Sequence, residues 1–333
     1  MTSRDPARVA VFSLGGTIAM TTQPDGTVAP ALSAEELLEA VPQLAGLGLD
    51  LEVQSFRQLP GASLSYADLF ALADAIDEAI DAGAAGVVVT QGTDTIEETA
   101  YFLDLVHSGH TPVVVTGAMR NPTMAGADGP ANILAAMQVA VSPATPKRAL
   151  VVFADEVHAA AAVSKTHSTS VTAFASTPGP IGYVAEGEPA FHTSPAPSPR
   201  LLDPNPREVH TALITATVGD DGSLLPVIGG HVDGLVVAGF GAGHVPATYV
   251  DELQRLASTI PVILATRTGR GPVLRRTYGF RGSESDLISR GLIPAGTLTP
   301  VKAKVLLHTA LALGATSADI RKLFEEGQSD ESR

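Results

Sequence analysis

Gly86-Val-Val-Val-Thr-Gln-Gly-Thr-Asp-Thr-Ile-Glu-Glu-Thr99 joins an apolar run to a polar turn and then to a helical start. Val87, Val88 and Val89 are consecutive β-branched residues, the pattern of a strand buried on both faces. Residues 90–94, Thr-Gln-Gly-Thr-Asp, follow as a turn. Thr95 with Glu98 three positions on has the spacing of a capping box, so a helix is expected from there. This order places a hydroxyl and a carboxylate, Thr93 and Asp94, at the carboxyl end of an inner strand. Open α/β sheets bind their ligands at that end.

The same alternation extends both ways. Val9 to Leu14, Leu51 to Phe56, Pro112 to Thr116 and Ala149 to Ala154 read as strands. Helices are expected after Ser33 (with Glu36 in a capping box), over 65–82, from Thr95 to about Val106, and over 129–141 behind Asp128. Strand–helix alternation predicts a mostly parallel sheet with helices on both faces and right-handed crossovers. Met20 to Ala31 is polar and carries Pro24-Asp25-Gly26, the composition of a mobile loop. Six prolines between 186 and 207 suggest an extended linker. Strands at 213–216, 235–238 and 261–266, with helices near 246–258, 300–313 and 317–326, complete a smaller α/β domain. The expected division is therefore 1–188, a linker over 189–210, and 211–333.

The chain has 333 residues, of which 45% are hydrophobic and 17% charged, so it buries a large core and is not disordered. The net charge of −14 argues against nucleic acid or an anionic membrane as a partner. With no cysteine, thiolate chemistry and disulfides are excluded. No run approaches the roughly 20 apolar residues of a membrane span, and no secretory signal is evident. A cytoplasmic protein is expected. His107, His110, His158 and His167 lack metal-ligand spacing, so neither metal nor cofactor is expected.

Three strand ends carry informative turns: Gly15-Gly16-Thr17, Gly92-Thr93-Asp94 and Gly117-Ala118-Met119. If those strands are neighbours, two threonines and an aspartate face one crevice. A hydroxyl is a weak nucleophile until a base or cation activates it. Lys165 is the only Lys or Arg between Arg148 and Arg200, and is the candidate for that cation. Plain structural readings stand beside each of these. Thr93 and Asp94 also suit a helix cap, the first turn also suits simple chain reversal, and a lone lysine also suits a solvated surface. The first turn is neither a dinucleotide fingerprint nor a phosphate-binding loop.

Taken together, Gly15-Gly16-Thr17-Ile18-Ala19 and Gln91-Gly92-Thr93-Asp94-Thr95 resemble the two signature motifs of bacterial-type L-asparaginases and glutaminase-asparaginases. The resemblance continues, in order, through Gly117-Ala118-Met119-Arg120, Asp128-Gly129-Pro130, Asn132, Lys165-Thr166, Ser168-Thr169, Gly296-Thr297-Leu298, Pro300 and Lys302-Ala303. It implies a homotetramer of tight dimers that converts L-asparagine to L-aspartate and ammonia. Thr17 resembles the family's nucleophile, and Thr93, Asp94 and Lys165 its second triad. Gly16, Gly61, Ala62, Ser63, Gly92, Thr93, Asp94 and Ala118 would line the substrate site, and Glu284 would reach the site of a partner subunit. Residues 20–32 lack the family's loop tyrosine, with Thr27 or Val28 in its region. Gly61 stands where a serine is usual, and Gly241-Ala242-Gly243-His244 replaces a Gly-Asn-Gly-Asn segment. A glutaminase, a hydrolase of another small amide, and an asparagine- or aspartate-binding sensor are the competing readings.

Overall fold

A computed structural model describes residues 6–22, 28–30, 32–107, 109–202 and 205–326, which form two units divided between Ala196 and Pro197. In the first, β1 (Arg8–Ser13) leads through a tight turn at Thr17–Ala19 into the hairpin β2 (Met20–Thr22) and β3 (Val28–Pro30). Residues 23–27 and 31 of the loop expected at 20–31, Thr27 among them, lie outside the described residues. Then come α1 (Ala34–Glu39), β4 (Asp50–Ser55), α2 (Tyr66–Asp81), β5 (Gly86–Thr90), α3 (Ile96–Val106), β6 (Val113–Thr116), α4 (Gly129–Val141) and β7 (Ala149–Phe153). The chain turns back in β8 (Glu156–Ala159) and forms a separate hairpin, β9 (Val163–Lys165) with β10 (Phe174–Ser176). It returns to the sheet as β11 (Gly182–Ala185) and β12 (Glu188–Phe191).

The sheet runs β12-β11-β8-β7-β6-β5-β1-β4. Strands β4, β1, β5, β6 and β7 are parallel; β8, β11 and β12 add an antiparallel edge. Side chains alternate between its faces with the period of two that strands impose. Val9, Val11, Val88, Val114, Leu150 and Val152 meet α1 and α4 through Leu37, Ile133, Ala136 and Met137. Val87, Val89, Val113 and Val115 are equally buried and take the other face, where α2 and α3 pack. Each such fully buried aliphatic side chain contributes about 1.5–3 kcal/mol.

In the second unit, β13 (Thr211–Thr215), α5 (Leu225–Gly229), β14 (Gly234–Gly239), α6 (Val250–Ala257), β15 (Val262–Thr266), α7 (Glu284–Ser289), β16 (Ile293–Pro294), α8 (Pro300–Ala312) and α9 (Ser317–Glu326) follow in order. Its sheet, β13-β14-β15-β16, is parallel throughout. Pro300 opens α8 at the first helical position, where its missing N–H costs nothing, and Thr299 caps the Lys302 N–H.

Three local readings change. The proline-rich stretch expected as linker from 189 begins inside the sheet, because Pro189 lies on β12, an edge strand where a missing donor is tolerated. Thr95 occupies the N-cap position of α3 but makes no side-chain cap; its hydroxyl is engaged elsewhere. Asp128 precedes α4 and likewise makes no cap. Ser33 with Glu36 does form the expected capping box.

Candidate active site

Parallel pairing brings the strand ends together before any side chain acts. Ser13 is in register with Thr90, and Thr90 with Thr116, so β1, β5 and β6 end side by side. Leu14 donates its N–H to the Thr90 carbonyl (2.8 Å), and Leu59 donates to the Leu14 carbonyl (3.0 Å). The second bond draws the 59–63 segment to the same edge.

Three backbones then meet at Gly92. Gly16 has φ +84°, and a Cβ on it would fall 2.1 Å from both the nitrogen and the Cα of Gly92. Only glycine fits there, for conformation and for space. A Cβ at Gly61 would sit 3.1 Å from the Gly92 carbonyl oxygen and 3.2 Å from Thr95 Oγ1. The Thr95 hydroxyl donates to the Gly61 carbonyl (3.2 Å) and accepts from Gln91 Nε2 (3.2 Å). That use, across to another loop, is what replaces the expected cap. Ala62 and Ser63, in the turn Gly61–Ser63, are exposed, while Gly61 is buried.

Thr17 begins the tight turn after Gly16 and is half-buried; Ile18 beside it is fully packed and anchors the turn. Thr93 is 5% exposed, and its Oγ1 accepts from Lys165 Nζ at 2.9 Å. The same ammonium donates to Asp94 Oδ1 at 2.8 Å. The Asp94 side chain is 68% exposed and that of Lys165 14%, so the cation is enclosed and the carboxylate stands at the solvent edge. An exposed ion pair adds little stability; here the geometry matters more than the energy. The lysine arrives from the β9–β10 hairpin, and its backbone N–H donates to Glu97 Oε1 at 3.2 Å.

The third turn is set from behind. Asp128 accepts from the N–H groups of Met119 (3.0 Å) and Arg120 (2.9 Å). Asn132 donates to the Gly117 carbonyl (2.9 Å) and accepts from the Ala154 N–H (3.0 Å). Ala118 is fully buried between these braces. Met119, Arg120 and the three glycine turns leave a cluster of backbone groups at the carboxyl ends of β1, β5 and β6, with two threonines, an aspartate and a lysine.

Glu284 lies in the second unit. It starts α7, is fully buried, and its Oε1 accepts from the N–H groups of Thr277 (2.9 Å) and Tyr278 (2.8 Å). Its other oxygen is 3.2 Å from His244 Nε2. Burial raises the pKa of this carboxyl, but the backbone amides of Tyr278, Glu284 and Thr277 outweigh that, together with His244, and hold it below the ordinary range. The His244 ring meets Tyr278 and Phe280 edge to face.

Thr17, Thr93, Asp94, Lys165 and the glycines are named from the sequence. Gln91, Glu97 and Asn132 are given no site role there, and Thr95 and Asp128 are read only as helix caps. Asp128 and Asn132 are visible as part of a motif, but their bonds to turn residues 8 to 22 positions away have no periodic signature.

Residues 8–197 match the family model for the asparaginase N-terminal domain, and residues 210–324 match the glutaminase/asparaginase C-terminal domain. A probable L-asparaginase of Deinococcus radiodurans is 39% identical, with 96% of this chain and 98% of that protein aligned. L-asparaginase 2 of Escherichia coli is 33% identical over 96% of this chain and 92% of its own. Among solved structures, a probable cytoplasmic L-asparaginase from Campylobacter jejuni superimposes with a TM-score of 0.85 at 30% identity, covering 96% of this chain and 99% of the other. With both domain models matched in order, and relatives aligned over nearly their whole length, the chain belongs to the asparaginase family.

Proposed function

We propose that the protein is an L-asparaginase, hydrolysing the side-chain amide of L-asparagine to L-aspartate and ammonia. The observation that carries this reading is the lysine: Lys165 Nζ lies 2.9 Å from Thr93 Oγ1 and 2.8 Å from Asp94 Oδ1, at the strand edge where the Gly16 and Gly92 turns touch. In this reading the Thr17 oxygen attacks the amide carbon. The carbon–nitrogen bond breaks, the threonine proton goes to the departing nitrogen, and ammonia leaves. Water then opens the threonine ester and releases aspartate. Thr93, polarised by the Lys165 ammonium, orients the attacked carbonyl or that water. Backbone N–H groups of the turns stabilise the oxyanion, a contribution of about 100- to 1,000-fold per donor in related chemistry.

Asp94 receives the substrate ammonium, and Gly61, Ala62 and Ser63 take the α-carboxylate through backbone N–H groups or the Ser63 hydroxyl. The family likeness further supports a homotetramer of tight dimers, with Glu284 supplied across a subunit interface. The likeness to the probable cytoplasmic enzyme of Campylobacter jejuni supports a cytoplasmic location. No helix among the described residues is long and apolar enough to cross a membrane.

Ammonia release from asparagine and from glutamine tests the assignment. Wild-type protein should release ammonia from asparagine, and Thr17→Ala and Thr93→Ala should each lose about 100-fold or more in kcat. Tight aspartate binding with no ammonia from either amide would make the protein a sensor, not an enzyme.

A further inference from the structure

Lys165 is the third residue of the three-residue strand β9, in a sheet of only two strands. An isolated two-stranded hairpin is marginal in water. Such a strand does not by itself hold a side chain to within the fraction of an ångström that catalysis requires. Something outside the hairpin must fix it.

Packing supplies part of it: Val163 and Phe174 of the hairpin are buried, with the Phe174 ring 4.8 Å from that of Phe153. The polar part comes from α3, the helix that follows the Thr93-Asp94 turn. Glu97 is the second residue of α3, three positions beyond Asp94 and four beyond Thr93. Its carboxylate accepts the Lys165 backbone N–H at 3.2 Å, across 68 residues of sequence. Lys165 is therefore held at both ends by one short segment. Its backbone is bound to Glu97, and its ammonium to Thr93 (2.9 Å) and Asp94 (2.8 Å). The location suits a carboxylate, because the first turn of a helix favours negative charge. A carboxylate acceptor also makes a stronger hydrogen bond than a neutral one.

We propose that Glu97 is a positioning residue for the amide-cleaving reaction, fixing the Lys165 backbone so that Nζ reaches Thr93 and Asp94 together. The inference rests on the reading above that Lys165 serves the reaction. Glu97 acts through the lysine and touches no reacting atom.

Steady-state ammonia release from asparagine, measured for Glu97→Ala, Glu97→Gln and Lys165→Met, tests it. Glu97→Ala should lower kcat about tenfold or more, the scale of a small misplacement of a catalytic group, with KM changed less than about twofold. Glu97→Gln keeps an oxygen acceptor of the same length and should stay within about threefold of wild type. A residue needed only for stability would lower the melting temperature and leave kcat per folded molecule unchanged. If Glu97→Ala fails to fold, Glu97→Met, which keeps the length and loses the acceptor, is read in its place. Should Lys165→Met lose activity while Glu97→Ala keeps kcat within about threefold, the positioning role is overturned and the triad stands. A glutamine variant as impaired as the alanine variant also overturns it. If Lys165→Met itself keeps kcat, the triad reading has failed, whatever Glu97 does.

Discussion

At Gly16 two requirements coincide. The backbone is at φ +84°, and the space a Cβ would fill is occupied by the backbone of Gly92. Either alone is a cost of about 1–3 kcal/mol. Gly16→Ala is therefore expected to destabilise the first unit by about 3 kcal/mol or more, a fall of about 6–12 °C in melting temperature. The displacement would also shift Thr17, next to Gly16 in the chain, relative to the Gly92-Thr93 turn, so ammonia release should fall in whatever fraction remains folded. Thermal unfolding and an activity assay on one preparation measure both. An alanine variant with wild-type melting and activity would show that the two turns do not touch as described. The corresponding restraint at Gly61 is milder, since its missing Cβ would meet atoms at 3.1 and 3.2 Å. The carboxylate subsite proposed there is built from backbone and from the exposed Ser63.

Elements show where sequence reading works and where it stops. The inner strands β1, β5, β6 and β7 are valine-rich apolar runs buried on both faces, and such runs announce themselves. So does the helix whose cap is local at Ser33. Thr95 and Asp128 mislead for one reason. Each stands before a helix with the right chemistry for a cap, yet each satisfies a turn at the strand ends instead. Buried turns need their polar groups bonded, and that need is met by residues distant in sequence. The antiparallel edge, β8, β11 and β12, escapes a sequence reading because its strands are four residues each, too short for a period to show. The hairpin that delivers Lys165 is hidden too: its strands have three residues each. The lysine is legible only as a lone cation and as part of a familiar motif, while its bonds to Thr93, Asp94 and Glu97 require the fold.

At the scale of the molecule, the two units differ in what they contribute. Thr17, Thr93, Asp94 and Lys165 all belong to the first, while the second carries Glu284 and a buried histidine, His308. Burial, then the nearby positive charges of Lys304 and His210, push the His308 pKa down from 6.5 to about 4, with Asp233 opposing. The unfolded chain protonates this residue as pH falls through about 6.5, but the folded chain does not until about 4. Its contribution to stability is therefore lost between those values, by at most about 3 kcal/mol, and does not change further below them. His308→Gln should flatten the pH dependence of denaturant unfolding across that window relative to wild type; identical slopes would contradict the burial argument. In the first unit, one enclosed lysine joins a hydroxyl to a carboxylate. The rate of ammonia release from L-asparagine by Lys165→Met, with L-aspartate binding measured on the same protein, tests what that lysine does. The expected result is a loss of about 100-fold or more in kcat, with aspartate affinity within about threefold of wild type. A Lys165→Met protein that keeps near-full kcat would contradict it.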